Sequence, residues 1–169
     1  MFVKTNEITN FVTIEMESGD TITIELYPQH APISVENFQN LVSESFYDGI
    51  IFHRVIAGFM IQGGDPKGIG IGGSDKTIKG EFRANGVNNT LSHTRGVVSM
   101  ARTNMPNSAS SQFFICHADA TFLDGNYAAF GEVVEGIETV DAIAGVKTDF
   151  RDKPLVEQKM KSVYFVEKA

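Results

Sequence analysis

The chain has 169 residues, a length suited to one domain that buries roughly 70% of its unfolded surface, and its 42% apolar and 21% charged residues, with 16 Gly and 5 Pro, exclude collagenous and disordered classes. Fourteen basic residues against 21 acidic ones leave a net charge of −7, which repels phosphate backbones and anionic lipid and argues against nucleic acid or a membrane surface as a partner. A single cysteine, no signal-peptide apolar core in the first ten residues and no apolar run of the ~18 residues a bilayer span needs imply a cytoplasmic protein without disulfides.

Residues 11 to 17 and 21 to 27 alternate apolar and polar around Ser18-Gly19-Asp20, which predicts a β-hairpin with Val12, Ile14, Ile22, Ile24 and Leu26 facing inward. Pro32 sits where a first helical turn tolerates proline, and Val35, Phe38 and Leu41 recur at helical spacing to about residue 43. β-rich runs follow at 50 to 56, 59 to 63, 96 to 101, 111 to 116, 127 to 134 and 160 to 167, separated by Gly, Asn and Pro clusters. A second helix is expected over about 137 to 144, stopped by Gly145. Many short strands with two helices point to a mainly β barrel or sandwich. Residues 1–169 read as one domain, with surface loops at 64 to 76, 83 to 95, 102 to 110 and 145 to 159. The first ten residues carry no recognisable pattern.

Most familiar chemistries lack their parts. Gly68-Ile69-Gly70-Ile71-Gly72-Gly73 matches a dinucleotide fingerprint in letters, but no helical pattern follows it, so no nucleotide cofactor is expected. The four histidines are far apart in sequence and no Cys-x-x-Cys exists, so no metal is expected either. Cys116 and His117 are neighbours on a strand and point to opposite faces, which separates thiol from base. Asp119 and Asp124 fall in polar turns and are read as solvating them.

What remains is Phe52-His53-Arg54-Val55-Ile56-Ala57-Gly58-Phe59-Met60-Ile61-Gln62-Gly63-Gly64-Asp65. In this run Arg54, Met60 and Gln62 share parity and project from one surface if the Ala57-Gly58 turn keeps register. In Ser111-Gln112-Phe113-Phe114-Ile115-Cys116 one phenylalanine can fill the core while its neighbour lines a groove. Each residue also has a bland reading: Arg54 as a surface ion pair, Met60 and Phe114 as core, Gln62 as an exposed amide. Spacing alone leaves both readings open.

These blocks, together with Gly96-Val97-Val98-Ser99-Met100-Ala101-Arg102 and Phe122-Leu123-Asp124-Gly125 through Phe130-Gly131-Glu132-Val133, resemble the cyclophilin family of peptidyl-prolyl cis-trans isomerases over about residues 11 to 166, most closely its bacterial cytosolic branch. The resemblance implies a closed eight-stranded antiparallel barrel capped by two helices, and an enzyme without cofactor or metal acting on proline-containing peptides and flexible protein segments. It places the essential guanidinium on Arg54, groups Gln62, Phe59 and Phe114 with it as catalytic, and assigns substrate binding to Met60, Ala101, Arg102, Thr103, Gln112, Phe122, Leu123 and Tyr127. Many members carry tryptophan where this chain has Phe122, histidine where it has Tyr127 and asparagine where it has Arg102. Without the indole N–H donor the expected cyclosporin binding is weak. A monomer is expected, since no long apolar surface stripe asks for a partner. A module that binds proline segments without turnover is the alternative, and an intact Arg54 favours the enzyme.

Overall fold

The computed structural model describes all of residues 1–169. The strands are β1 (Phe2–Lys4), β2 (Phe11–Met16), β3 (Thr21–Leu26), β4 (Phe52–Ile56), β5 (Met60–Gly63), β6 (Val97–Met100), β7 (Phe113–Cys116), β8 (Ala129–Glu135) and β9 (Met160–Lys168). Two helices, α1 (Pro32–Ser43) and α2 (Ile137–Ala144), and two single 3₁₀ turns at Arg83–Asn85 and Thr121–Leu123 complete the chain. Every ladder is antiparallel, in the order β1-β9-β2-β3-β8-β6-β7-β5-β4.

The alternating hairpin forms as its pattern predicts, with Val12 opposite Ile24 and Ile14 opposite Ile22. Two features differ from the sequence expectation. β1 adds a ninth strand by pairing Phe2–Lys4 with Lys168–Val166 at the other end of the chain; three residues are too few to show a period, and only the remote partner makes them a strand. The expected eight strands follow from β9 to β4, but no ladder joins those two edges. They meet through the bridge between Ile51 and Lys159 and through backbone bonds from Gly49 to Met160, Met160 to Ile50 and Phe52 to Gln158.

One cluster of 30 buried residues fills the space between the sheet and the helices. Phe38, delivered by the apolar stripe of α1, packs at its centre with ring centroids 5.2 Å from Tyr47, 5.5 Å from Phe113 and 5.3 Å from Phe130. The start of α1 has no side-chain cap of its own at Ala31. Its free N–H groups are instead met from a distant loop: the buried Glu81 carboxylate accepts the Ile33 N–H at 3.1 Å, the Ser34 N–H at 2.6 Å and the Ser34 hydroxyl at 2.8 Å. A carboxylate at a helix N-terminus satisfies both the orphan donors and the dipole. Glu81→Ala leaves the buried Ser34 donors unmet, so urea denaturation is expected to show a loss of about 1–3 kcal/mol, and an unchanged midpoint would contradict this role.

Candidate active site

Gly58, with φ of +79°, turns the chain between β4 and β5, and the Phe59 N–H closes the turn on the Ile56 carbonyl at 3.0 Å. The turn keeps register: Arg54 lies opposite Gln62 and Ile56 opposite Met60, and β5 then sets Gln62 opposite Phe114. His117 pins the hairpin tip, its Nδ1 accepting the Gly58 N–H at 2.9 Å while its backbone N–H donates to the Phe59 carbonyl at 2.9 Å. Across the ring, His117 Nε2 lies 3.1 Å from Asp141, which Arg95 holds by two bonds of 2.7 and 2.8 Å. In the sequence His117 stands out only as the neighbour of Cys116. Nothing local marks it, because its partners come from residues 58 and 141.

The outer face of β5 and β7 carries the site. Phe113 joins the main core, whereas Phe114 joins a small second cluster with Met60, Cys116 and Ala120, against which Phe59, Ala101, Leu123 and Tyr127 pack. Phe59, Met60, Ala101, Phe114, Leu123 and Tyr127 line, with Arg54, Gln62 and Arg102, a cavity of about 140 Å³. The floor is apolar and the rim polar. Thr103 and Gln112 stand outside it and line an adjoining cleft of about 400 Å³ that shares Gln62, Ala101 and Arg102. Phe122 lines neither: it is 71% exposed, with its ring 5.6 Å from Phe59. It stands at a lip outside the pocket, a position set by the 3₁₀ turn at Thr121–Leu123, which brings Leu123 to the pocket instead. A cleft of about 560 Å³ beside α1 is larger, but it has no guanidinium and four apolar residues among thirteen.

Arg54 is exposed and makes one side-chain bond, 3.3 Å from Nη1 to Gln62 Oε1; no carboxylate lies within ion-pairing distance. The surface ion-pair reading of Arg54 is thereby overturned. Gln62 Nε2 donates to Gln112 Oε1 at 2.9 Å, and Gln112 Nε2 donates to the carbonyls of Gly70 and Gly72 at 3.0 and 2.8 Å. This chain of amides fixes which end of each amide faces which, and so presents an oxygen to Arg54. The glycine loop that resembled a nucleotide motif is where the chain ends. It is shaped by the buried Asp65 carboxylate, which accepts the N–H groups of Lys67, Ile69 and Gly70 at 2.7–3.0 Å. Burial works to raise the Asp65 carboxyl, but these donors, with that of Gly72, outweigh it and hold it below the usual range. A side chain at Gly72 would collide with this carboxylate, which accounts for the glycine there.

Arg102 does not reach out as a free cation. It is clamped between the rings of Phe82 and Tyr127, at 4.6 and 4.8 Å, and donates to the carbonyls of Asn126 and Thr103. Beneath Phe114 lies a second histidine that sequence reasoning passed over. His93 stacks on the Phe114 ring at 6.0 Å and is fully buried. Burial lowers its pKa, against the opposing pull of Asp124, so it is neutral. The Asp124 carboxylate can only accept, so Nδ1 carries the proton toward it at 2.9 Å and Nε2 accepts the Ser99 hydroxyl at 2.9 Å. Asp124 also accepts the Ser92 hydroxyl at 2.6 Å and the His93 N–H at 2.7 Å. These donors hold its carboxyl below the usual range although burial opposes them. The reading of Asp119 and Asp124 as mere solvation is corrected, since Asp119 accepts the Arg95 N–H at 2.8 Å. Cys116 is buried and burial pushes its thiol up to about 12, so it is no nucleophile.

His53, buried at the β4 bulge, is likewise lowered by burial, with Asp65 opposing. Both histidines bind a proton less readily folded than unfolded. The unfolded chain therefore takes up protons first as pH falls through about 6.5, so the stability is complete above that pH and declines below it. Denaturant titrations are expected to lose stability from pH 6.5 to 5, with a limiting slope of about 1.4 kcal/mol per pH unit for each histidine, and His53→Leu should make the slope shallower. A flat profile over this range would contradict the neutral assignments.

Comparison with known proteins now places this geometry. The family model described as cyclophilin type peptidyl-prolyl cis-trans isomerase/CLD matches residues 11–165. A peptidyl-prolyl cis-trans isomerase-like 1 of Rhizopus delemar is 47% identical over 144 residues, 85% of this chain and 86% of the relative. A peptidyl-prolyl cis-trans isomerase of Acinetobacter baylyi is 47% identical over 141 residues, 80% of this chain and 73% of that protein. The crystal structure of a Cryptosporidium parvum cyclophilin type isomerase superposes with a TM-score of 0.86 at 32% identity, covering 95% of this chain and 98% of that one; it has also been solved in the presence of the dipeptide Ala-Pro. The hollow bounded by Arg54 and Phe114 thus belongs to a mainly β isomerase fold with two helices. The chain is a member of the cyclophilin-type peptidyl-prolyl cis-trans isomerase family.

Proposed function

We propose that Arg54 drives the rotation of X-Pro peptide bonds in this isomerase by donating to the prolyl nitrogen of a substrate seated in the 140 Å³ hollow. The uncatalysed reaction crosses a barrier near 20 kcal/mol because twisting the peptide breaks amide resonance. No covalent bond is made or broken, so the catalyst needs neither nucleophile nor tuned base. Twisting localises the lone pair on the nitrogen, and a donor aimed at it is strengthened in the transition state while doing little for the planar ground state. A planar guanidinium fork with no carboxylate partner suits that task.

The apolar floor of Phe59, Met60, Phe114 and Leu123 grips the proline ring, and Tyr127 closes one side. Gln62 and Ala101 hold the peptide where it leaves the hollow, and Thr103 and Gln112 receive it in the adjoining cleft. One end is fixed and the other turns. A gain of five decades requires about 7 kcal/mol at ~1.36 kcal/mol per decade, a sum within reach of preoriented hydrogen bonds away from bulk water. The Ala-Pro dipeptide used with the Cryptosporidium protein is in keeping with proline-containing peptides as substrates here. The same reading takes the two sheet edges that meet at Ile51 and Lys159 as the seam of a barrel, the chain as a single-domain monomer of the cytoplasm, and cyclosporin binding as weak because the lip residue Phe122 offers no N–H donor.

The observation that carries this reading is Arg54 at the rim of an apolar hollow, held by an amide and by no carboxylate. Exchange NMR on a proline peptide is expected to show acceleration by the wild type and a fall in kcat/KM of about 100-fold or more for Arg54→Ala, with thermal unfolding nearly unchanged. A wild type that binds the peptide without accelerating exchange would favour the binding module, and an Arg54→Ala enzyme within threefold of wild type would remove the guanidinium from the mechanism.

A further inference from the structure

Beside the proline hollow, on the far side of Arg54, a separate cleft of about 440 Å³ takes Arg54 and Gln62 as its shared wall. Its other charged lining residues are Arg151, Lys153 and Asp149, with His53 and Ile69 against them. Three cations face one carboxylate there, a formal +2, on a chain whose net charge is −7. None of the three cations has a carboxylate within ion-pairing distance; the five ion pairs of the molecule involve other groups.

The arrangement is built rather than incidental to a loose loop. The Asp149 carboxylate is occupied with the main chain, its Oδ1 accepting the N–H of Arg151 at 2.8 Å and of Lys153 at 3.0 Å, and the Asp149 N–H donates to the Lys153 carbonyl at 2.8 Å. Those backbone donors hold its carboxyl below the usual range. The one acid of the cleft thus organises the turn that displays the two cations. Asp152 completes that turn with φ of +65°, a left-handed conformation that Asp tolerates better than most residues. The turn is then fastened to the catalytic strand, because the Val55 N–H, one residue from Arg54, donates to the Asp152 carbonyl at 2.8 Å. The backbone that carries Arg151 and Lys153 is therefore fixed beside Arg54, with the Arg151 guanidinium 5.3 Å from the exposed Phe150 ring. By contrast, Arg95 and Arg102 are held by protein acceptors.

We propose that this cleft is a specificity subsite for an anionic side chain, a carboxylate or a phosphate, borne by the substrate within a few residues of the proline. The inference rests on the isomerase reading of the adjoining hollow and adds to it a substrate class: proline segments flanked by acidic residues. Unpaired cations at an interface rim steer oppositely charged partners and reject like-charged ones, and the effect weakens as salt screens it.

The test is exchange NMR with four series of proline peptides that carry alanine, glutamate, phosphoserine or lysine at each position from three before to three after the proline, with wild type and with Arg151→Glu/Lys153→Glu. Both substitutions spare the main-chain bonds of the turn. For at least one position the wild type is expected to favour glutamate or phosphoserine over lysine by about three- to tenfold in kcat/KM, mainly through KM, and to lose most of that preference at 0.5 M salt. The double variant should invert the preference. Preference in both acidic arms identifies charge as the recognised feature, and preference in the phosphoserine arm alone identifies phosphate; either supports the subsite. Equal turnover of all four series by the wild type, or a preference untouched by the double variant, overturns it. The alanine series separates the two levels: if it is not accelerated at all the isomerase reading itself fails, whereas normal alanine turnover without charge preference removes the subsite alone.

Discussion

Arg54 is held by an amide and not by an acid, and the chemistry proposed for the site depends on that choice. A carboxylate at the same distance would give a stronger bond, but it would also neutralise the donor and orient the fork inward. The 3.3 Å contact with Gln62 restrains the side chain lightly while its charge remains available. Gln62 can serve in this way because its own amide is oriented by Gln112, and Gln112 in turn by two carbonyls of the glycine loop that Asp65 organises. A buried acid that does not touch Arg54 thus shapes the loop on which the guanidinium's neighbours depend.

The hollow has its form because β7 is buried on both faces. Phe113 completes the aromatic centre around Phe38, and Phe114, one residue on, faces the opposite way over the His93 ring. That histidine is bonded at both nitrogens and neutral, so it acts as a flat, fixed support. The core that stabilises the sheet and the pocket proposed to grip proline are two sides of one strand. This coupling lets a domain of this size hold a small surface pocket steady by core packing.

Much of this was legible in the residue pattern. The hairpin at 11 to 27, the proline-started helix and the opposed phenylalanines follow from periods of 2 and 3.6 that tertiary structure did not override. Arg54, Met60 and Gln62 share a surface because Gly58 preserves their register, a condition the sequence could pose but not settle. The supports were invisible: β1 exists only through its pairing with the C-terminal strand, Glu81 caps a helix 47 residues away, and His93, His117 and Asp124 act through partners distant in sequence. Phe122 lies within a matching block, but the 3₁₀ turn directs its side chain to the lip beside Phe59 and not into the hollow, which no local period shows. Local pattern reveals elements and their faces; long-range hydrogen bonds leave no local trace.

A direct test of the central idea is to neutralise Arg54 where it stands. Gln62→Glu places a carboxylate against the guanidinium with little change in shape, and Gln62→Ala serves as the control for the lost amide. If an unpaired fork stabilises the twisted bond, exchange NMR will show kcat for Gln62→Glu at least tenfold below that of Gln62→Ala, with both variants still binding the peptide. Equal rates for the two variants would mean that the charge of Arg54 need not be free, and that the rotation is driven by something other than this donor.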